Sequence, residues 1–379
     1  MSLAPGVIRD SIIQYLTMVG EDASTDEIVA AVTRDIGRIP QSSVRSYLSL
    51  NTPKTFERVN RGRYRLQNAV PQSSFTEKKN VRIGQARLFQ DDCFAWLARQ
   101  KPASIHAIVT DPPYGLVEYT AKETEKLRAG KGGVWRIPPS FDGHQRAPLP
   151  RFTILTEADR RSLYAFFSRF GALIARVATP GANIVIASNP LLAHIVAEAL
   201  SKAGLELRGY IARQVMTMRG GDRPKNAHVE FDGVSVMPRS QWEPWVLLRA
   251  PLEGRVQDNL RKWGTGGFRR PSKERPFGDS IKSHPTPASE KKIAPHPSLK
   301  PQAFMRQIVR AVLPLGEGVV LDPFMGAGST LAAANAVGYD SQGIEIDEEF
   351  FTLATQAVPR LTRLTIKHDN GEVSGEVSF

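Results

Sequence analysis

Apolar residues at Val7, Ile8, Ile12, Ile13, Leu16 and Val19 recur at helical spacing and predict a first helix. A second helix is predicted from Ser24 or Thr25, because Glu27 stands three residues after Ser24 in a capping-box pattern. The stretch PQSSVRSYLSLN predicts a third short helix with Gln41 or Ser42 near its start. FERVNRGRYRL alternates around Asn60-Arg61-Gly62 and predicts a β-hairpin. Three helices followed by a basic hairpin predict a winged helix-turn-helix module over residues 1–68. The polar, Pro- and Ser-containing residues 69–80 read as a linker.

Beyond the linker the pattern changes to strands alternating with helices. VRIGQARLFQDDCFAWLARQ reads as a strand into a helix, and Ile105–Thr110 as a second strand. Thr120–Phe152 has little periodicity and reads as a long loop, a length that in a compact domain usually carries function. A helix over Glu157–Val177, a strand NIVIAS after Pro180-Gly181, a helix over Pro190–Ala203 and strands at ELRGYIARQVMTM and WEPWVLLRA follow. Residues 251–297 are basic, with Gly and Pro throughout and little regular structure. A helix opened by Ser298 or Pro301 precedes the strand GVVLDPF, the helix STLAAANAVG, the strand DSQGIEI and the helix DEEFFTLATQAVPRL. This alternation predicts an α/β fold with a mostly parallel sheet, helices on both faces and an antiparallel edge hairpin.

Composition narrows the setting. No stretch approaches the ~18 apolar residues that span a membrane, and the N-terminus lacks a signal-peptide pattern, so a cytoplasmic protein is expected. Cys93 is the single cysteine of 379 residues, which excludes an internal disulfide framework. The formal charge of +12 suggests a polyanionic partner, nucleic acid first. Residues 34–65 hold eight Lys/Arg against two Asp/Glu, and residues 251–300 eleven against five. In the first region Arg45, Lys54, Arg58, Arg61, Arg63 and Arg65 are candidate phosphate contacts.

Two stretches carry chemistry. Asp111-Pro112-Pro113-Tyr114 ends a strand with an acid, a stiff turn and an aromatic ring, at the sheet edge where open α/β folds hold ligands. In VVLDPFMGAGSTLAAANAVGYDSQGIEID, Gly326 and Gly328 let the backbone turn tightly toward a ligand, and the following helix offers free N–H groups to an anion. Glu345, seventeen residues beyond Gly328, ends the next strand, where an acid can accept both hydroxyls of a ribose. Leu331 stands where a dinucleotide fingerprint has its third glycine, and no Gly-Lys-Ser/Thr loop is present, so an adenosine-containing cofactor other than NAD, FAD or hydrolysed ATP is implied.

The acid-Pro-Pro-Tyr tetrapeptide followed by DPFMGAG resembles the S-adenosylmethionine-dependent DNA amino-methyltransferases, which methylate adenine N6 or cytosine N4. The order, tetrapeptide first and glycine loop near the end, resembles the permuted β group. The resemblance spans about residues 81–365 and implies a Rossmann-like methyltransferase domain over 81–379. Its catalytic half would be 81–250, its target-recognition region 251–297 and its cofactor-binding half 298–365. It implies S-adenosyl-L-methionine as cofactor, S-adenosyl-L-homocysteine as product, and no metal. On the cofactor side it implies Phe324, Gly326 and Gly328 with Asp322 and Pro323, then Ser329 and Thr330 opening the helix. Glu345 would hold the ribose, and Ile346 would lie on the adenine. Asp92 and Cys93 in FQDDCFAWL resemble the adenine-side segment, with Cys93 a packing residue and Asp92 equally readable as a helix cap. Ser298 and Lys300 in PHPSLKP resemble the cofactor-side residues of the helix motif that precedes the glycine loop, and the resemblance counts Asp111 among the cofactor-binding residues as well. Asp111 and the Pro112 carbonyl would accept the two hydrogens of the target amino group, followed by the rigid Pro113, with Tyr114 stacked on a flipped base.

The implied partner is double-stranded DNA, with a cognate restriction endonuclease where the chain serves a restriction–modification system, and the chain acting as monomer or homodimer. Arg219, Arg223 and Lys225 lie in one candidate DNA loop, and Arg261, Lys262, Arg269, Arg270, Lys273 and Arg275 in the other. An aspartate-led tetrapeptide tilts the resemblance toward adenine. A cytosine-N4 enzyme, an RNA methyltransferase and a degenerate DNA-binding regulator remain open. His284 and His296 read as solvent-exposed loop residues.

Overall fold

The structure is a computed structural model that describes residues 7–19, 21–37, 39–53, 55–67, 79–113, 140–141, 144–145, 157–216, 224, 226–367 and 373–374. The chain divides into two compact units, Met1–Glu77 and Lys78–Phe379.

In the first unit α1 (Val7–Val19), β1 (Ala23–Ser24), α2 (Thr25–Ile36) and α3 (Gln41–Leu50) precede a hairpin of β2 (Phe56–Asn60) and β3 (Arg63–Leu66). The three strands form a sheet in the order β1-β3-β2. Ser24 and Glu27 close the capping box reciprocally, whereas Pro40 caps α3 without a side-chain bond. Ile12, Leu16, Ile28, Val32, Val44, Leu48 and Phe56 form the core. Each such burial contributes roughly 1.5–3 kcal/mol against about 1 kcal/mol for a cap, so packing dominates the stability of this unit. Gly62 makes the tight turn at φ +78°, and its carbonyl accepts from Thr25 N at 2.8 Å.

The second unit opens with β4 (Asn80–Ile83) and β5 (Ala86–Gln90), an antiparallel edge hairpin where the sequence suggested one strand, then α4 (Cys93–Arg99) and β6 (Ile105–Thr110). A two-residue pair, β7 (Ser140–Phe141) and β8 (His144–Gln145), lies within the expected long loop, most of which falls outside the described residues. Then come α5 (Glu157–Val177), β9 (Ala178–Ala187), α6 (Ala193–Lys202), β10 (Glu206–Gln214) and β11 (Trp242–Arg249). The remaining elements are α7 (Val256–Trp263), β12 (Ser280–Lys282), α8 (Ala288–Ile293), α9 (Gln302–Val312), β13 (Val319–Asp322), α10 (Ser329–Ala336), β14 (Asp340–Glu345) and α11 (Glu348–Thr362). A short pair, β15 (Ile366–Lys367) and β16 (Val373–Ser374), closes the chain. Among the described residues no helix is long and apolar enough to cross a membrane.

The main sheet runs β12-β10-β11-β9-β6-β13-β14-β5-β4. Strands β9, β6, β13, β14 and β5 are parallel, and β11 is antiparallel to both its neighbours. Strand alternation explains the two buried faces. Ile108, Ile184, Ile186 and Leu321 pack with Phe167 and Phe170 of α5. Ala107, Val109, Val185 and Val320 pack with Phe304, Met305 and Ile308 of α9. The chain leaves β6 toward β9 on one side, whereas β13 leads to β14 on the other. Their carboxyl ends therefore flank a switch point, the place for a ligand in such sheets.

Residues 251–297 depart from the expected irregular loop. They hold α7, the sheet strand β12 and α8. Around α7 a buried polar knot holds the chain, and β12 pairs in parallel with β10. Asn259, fully buried, donates to Pro180 O at 3.0 Å and Thr265 O at 2.8 Å and accepts from Glu253 N at 2.9 Å. Pro180 and Gly181 belong to β9 rather than preceding it, and a Cβ on Gly181 would meet Asn259 Nδ2 at 2.4 Å. Pro180 sits at the start of β9, so this knot lies on the amino edge of the parallel strands.

Candidate active site

Asp111 follows β6 directly. Alternation puts it on the face of Ala107 and Val109, the face that α9 covers. The segment entering α9 therefore meets it: the Lys300 ammonium pairs with the Asp111 carboxylate. Pro112 is buried and Pro113 exposed, whereas Tyr114 lies outside the described residues. Asp111, His296, Ser298, Leu299, Lys300, Asp322, Phe324, Met325, Gly326, Ala327, Ser329 and Thr330 line one pocket, with Trp245 and Met305 behind them. Two stretches some two hundred residues apart in sequence thus meet at the switch point.

Asp322 ties the two halves together. Its Oδ1 accepts from Thr110 Oγ1 at 2.6 Å and from Phe324 N at 3.1 Å, so the end of β6 and the start of the glycine loop share one buried carboxyl. Burial pushes that carboxyl up to about 6, against hydrogen bonds from Thr110, Thr330 and Phe324 that favour the charge. A carboxyl raised in this way holds its proton better folded than unfolded. Its contribution to stability is therefore greatest below the ordinary value of 3.8 and is lost as pH rises to about 6. That loss is on the order of 2–3 kcal/mol. Asp322→Asn keeps an acceptor for Thr110 and should gain stability relative to wild type between pH 4 and pH 7. A thermal melting series checks this; a difference that does not change with pH contradicts it.

The glycine loop is set by two positive-φ residues, Gly326 at +48° and Gly328 at +81°. A Cβ on Gly328 would stand 2.4 Å from Val358 of α11, and one on Gly326 would stand 3.0 Å from the His296 ring. Gly326 N donates to Glu345 Oε2 at 3.0 Å, and Asp347 N donates to Glu345 Oε1 at 2.9 Å. Burial raises the Glu345 carboxyl against those bonds. Ile346 beside it is 67% exposed. Phe324 packs on Phe170 and Phe166, with ring centres at 5.4 and 6.0 Å. Asp92 caps α4, accepting from Ala95 N at 2.8 Å, and Asp91 N donates to Glu345 O at 3.0 Å, which brings the end of β5 beside the end of β14. A strand-end acid, an exposed aliphatic side chain beside it and a glycine loop closed against a ring fit a nucleoside-bearing ligand.

The remaining expectations divide. Cys93 is buried in the α4–α5 core, and burial raises its thiol far above the usual range, which suits packing and not nucleophilic chemistry. His284 is exposed, but His296 is not the solvated loop residue expected. Its ring packs edge-on against Phe350 at 4.4 Å and lines the pocket, and burial lowers its basicity. Its position depends on α11 and the glycine loop, which no local sequence signal reports. Glu243 and Arg213, also unforeseen, stand behind Lys300.

Several basic residues of 251–297 have partners within the fold. Arg269 donates to Tyr339 Oη at 2.8 Å and packs under Gly316; Arg270 O accepts from Arg310 at 2.9 Å. Arg261 pairs with Asp258 at 3.0 Å, and Lys262 pairs with Glu253. These contacts and the Asn259 knot hold residues 251–270 at the amino edge, opposite Asp111. Lys273 and Arg275 are exposed in the bend that leads back toward β12. Arg219, Arg223, Lys225 and Lys54 lie outside the described residues. In the first unit Arg63 pairs with Asp22, Arg65 with Glu57 at 2.8 Å and Arg45 with Asp26 at 3.7 Å, whereas Arg58 and Arg61 are exposed on the hairpin.

Site and fold together define a mostly parallel α/β domain whose switch point holds a pocket lined by Asp111 and the glycine loop. Residues 105–356 match the family model described as DNA methylase, and the chain belongs to that family. The Type II methyltransferase M2.DpnII of Streptococcus pneumoniae is 21% identical over 286 residues, covering 70% of this chain and 87% of that protein. The Type II methyltransferase M.ScaI of Streptomyces caespitosus is 41% identical over 59 residues, and the chain spans only 19% of its length. TTHA0409 from Thermus thermophilus, solved in complex with S-adenosyl-L-methionine, is similar at 20% identity and a TM-score of 0.44, over 72% of this chain and 92% of that one.

Proposed function

We propose that the chain transfers the methyl group of S-adenosyl-L-methionine to the N6 amino group of an adenine swung out of duplex DNA. The observation that carries this reading is that Asp111 and the glycine loop line one pocket. Glu345 and Ile346 would hold the adenosine end of the cofactor, and Phe324, Gly326 and the α10 N-terminus its amino-acid end. The bound cofactor supplies a methyl group on a sulfonium: as the amino lone pair forms the new N–C bond, the S–C bond breaks and its electron pair stays on sulfur. The chain's own task is orientation. Asp111 accepts one amino hydrogen and the Pro112 carbonyl the other, which aims the nitrogen lone pair at the methyl carbon. The methylated nitrogen then sheds one proton, and Asp111, already its acceptor, passes it to solvent. The aspartate that leads the tetrapeptide favours adenine. Nucleoside mass spectrometry of unmethylated DNA incubated with the protein and cofactor tests the reading: N6-methyladenine is expected, and N4-methylcytosine or no new nucleoside overturns it.

DNA would approach the carboxyl edge of the sheet. Residues 226–241, the part of the connection that leads into β11 at that edge, expose Val229, Phe231 and Val236, by 81%, 44% and 66%. We assign target contact to this segment and to residues 283–297 in place of 251–270. The first unit is read as a winged helix that contacts backbone phosphate through Arg58 and Arg61. Deleting residues 1–68 should then weaken DNA binding and flatten its dependence on salt, by about one unit of log–log slope for each phosphate that is no longer neutralised. Binding titrations at 50–200 mM salt check this, and an unchanged slope assigns the unit elsewhere.

A further inference from the structure

Four charged side chains meet under the entry to α9. Arg213 of β10 and Glu243 of β11 are cross-strand partners, joined at 2.7 Å. Glu243 reaches the Lys300 ammonium at 3.5 Å, and Lys300 pairs with Asp111. Ile211, Trp245 and Val109 sit two residues earlier or later on the same strands and belong to the same packed face. Alternation thus delivers Arg213, Glu243 and Asp111 from three strands to one point. The side chains are 7%, 18% and 16% exposed, and Lys300 is 11% exposed. Arg213 is itself fixed: it donates to Ser283 Oγ and His284 O, each at 3.0 Å, and lies 5.1 Å from the centre of the Phe304 ring.

Two cations and two carboxylates balance, so removing one leaves a buried charge without its partner. Burial alone would pull the Lys300 ammonium down, but the carboxylates of Asp111 and Glu243 outweigh it and hold it above its ordinary value. Lys300 is then a fixed cation whose side chain is committed to Asp111 on one side and Glu243 on the other.

We infer that Lys300 is a positioning residue for the Asp111 carboxylate, anchored from behind by the Glu243–Arg213 pair, and not a contact to the cofactor. The inference rests on the reading of Asp111 as the acceptor of the substrate amino group. Three full-length variants test it: Lys300→Met, Lys300→Arg and Glu243→Gln. Each is read by calorimetric affinity for S-adenosyl-L-methionine, by kcat and KM on unmethylated DNA at saturating cofactor, and by melting temperature. Lys300→Met should lower kcat by about a hundredfold with KM for DNA changed by less than about fivefold, because the carboxylate is no longer held in place. Its cofactor affinity should stay within about fivefold, under 1 kcal/mol. Lys300→Arg should restore most of the turnover. Glu243→Gln, which preserves shape and lies outside the pocket lining, should lower turnover about tenfold with cofactor affinity unchanged. A Lys300→Met protein that loses cofactor affinity more than tenfold and regains full turnover at saturation overturns the inference and restores Lys300 to the cofactor. Turnover that falls in proportion to melting temperature, with kcat and KM for DNA changed alike and no rescue by arginine, overturns it in favour of a purely structural pair. A wild-type chain that binds cofactor but methylates nothing overturns the underlying reading, and the role of Lys300 with it.

Discussion

Asp111→Ala is expected to lower methyl transfer by about 10³-fold, the scale on which a single positioned acceptor or proton-transfer group acts. Cofactor affinity should stay within about tenfold, because the glycine loop, Glu345 and Ile346 are untouched. The separation follows from the geometry: Asp111 reaches the pocket from the end of β6, whereas Phe324, Gly326 and Ala327 reach it from the loop after β13, with Glu345 behind that loop as acceptor of the Gly326 amide. The variant should fold with a lowered melting temperature, because Arg213 and Lys300 are then left to share the Glu243 carboxylate. Full turnover in the variant would remove Asp111 from the reaction.

Gly326→Asp is expected to act on the other half of the site. At φ +48° any side chain is strained, and a Cβ there meets the His296 ring at 3.0 Å. Left-handed backbone costs a non-glycine residue roughly 1–2 kcal/mol, and the new carboxylate would stand beside Glu345, whose Oε2 the Gly326 amide now binds. Together these should weaken cofactor binding by about a hundredfold, each tenfold step being about 1.4 kcal/mol. Gly326→Ala, with strain but no charge, should lose about tenfold. Calorimetry on both variants checks the pair; wild-type affinity in Gly326→Asp would show that the loop does not carry the cofactor.

Much of the frame was legible because it is written in local periodicity. The helix over Val7–Val19, the capping box at Ser24, the hairpin around Gly62 and the strand–helix alternation after residue 81 all depend on neighbours a few residues apart. The two motif stretches were legible because strand-end acids and glycine loops have fixed meanings in α/β sheets. The buried charges behind the motifs were not. Glu243 and Arg213 read as ordinary strand residues until β10 and β11 pair across the sheet. His296 read as a loop histidine because Phe350 lies more than fifty residues further along. The order of residues 251–270 was not legible for a related reason. Their lysines and arginines suggested a loop reaching for phosphate, but Asn259 and Arg269 find partners in β9, in Tyr339 and near the end of α9 that only the folded chain brings near. Net charge reported a basic segment and could not report which edge of the sheet it faced.

The central claim is that Asp111 and the glycine loop together methylate adenine in DNA. It is tested most directly by mapping modified bases in genomic DNA from cells expressing the wild-type chain, beside DNA from cells expressing Asp111→Ala. N6-methyladenine at one recurring sequence with the wild type, and its absence with the variant, is the expected result. N4-methylcytosine, no modified base, or the same methyladenine pattern from both chains would contradict it.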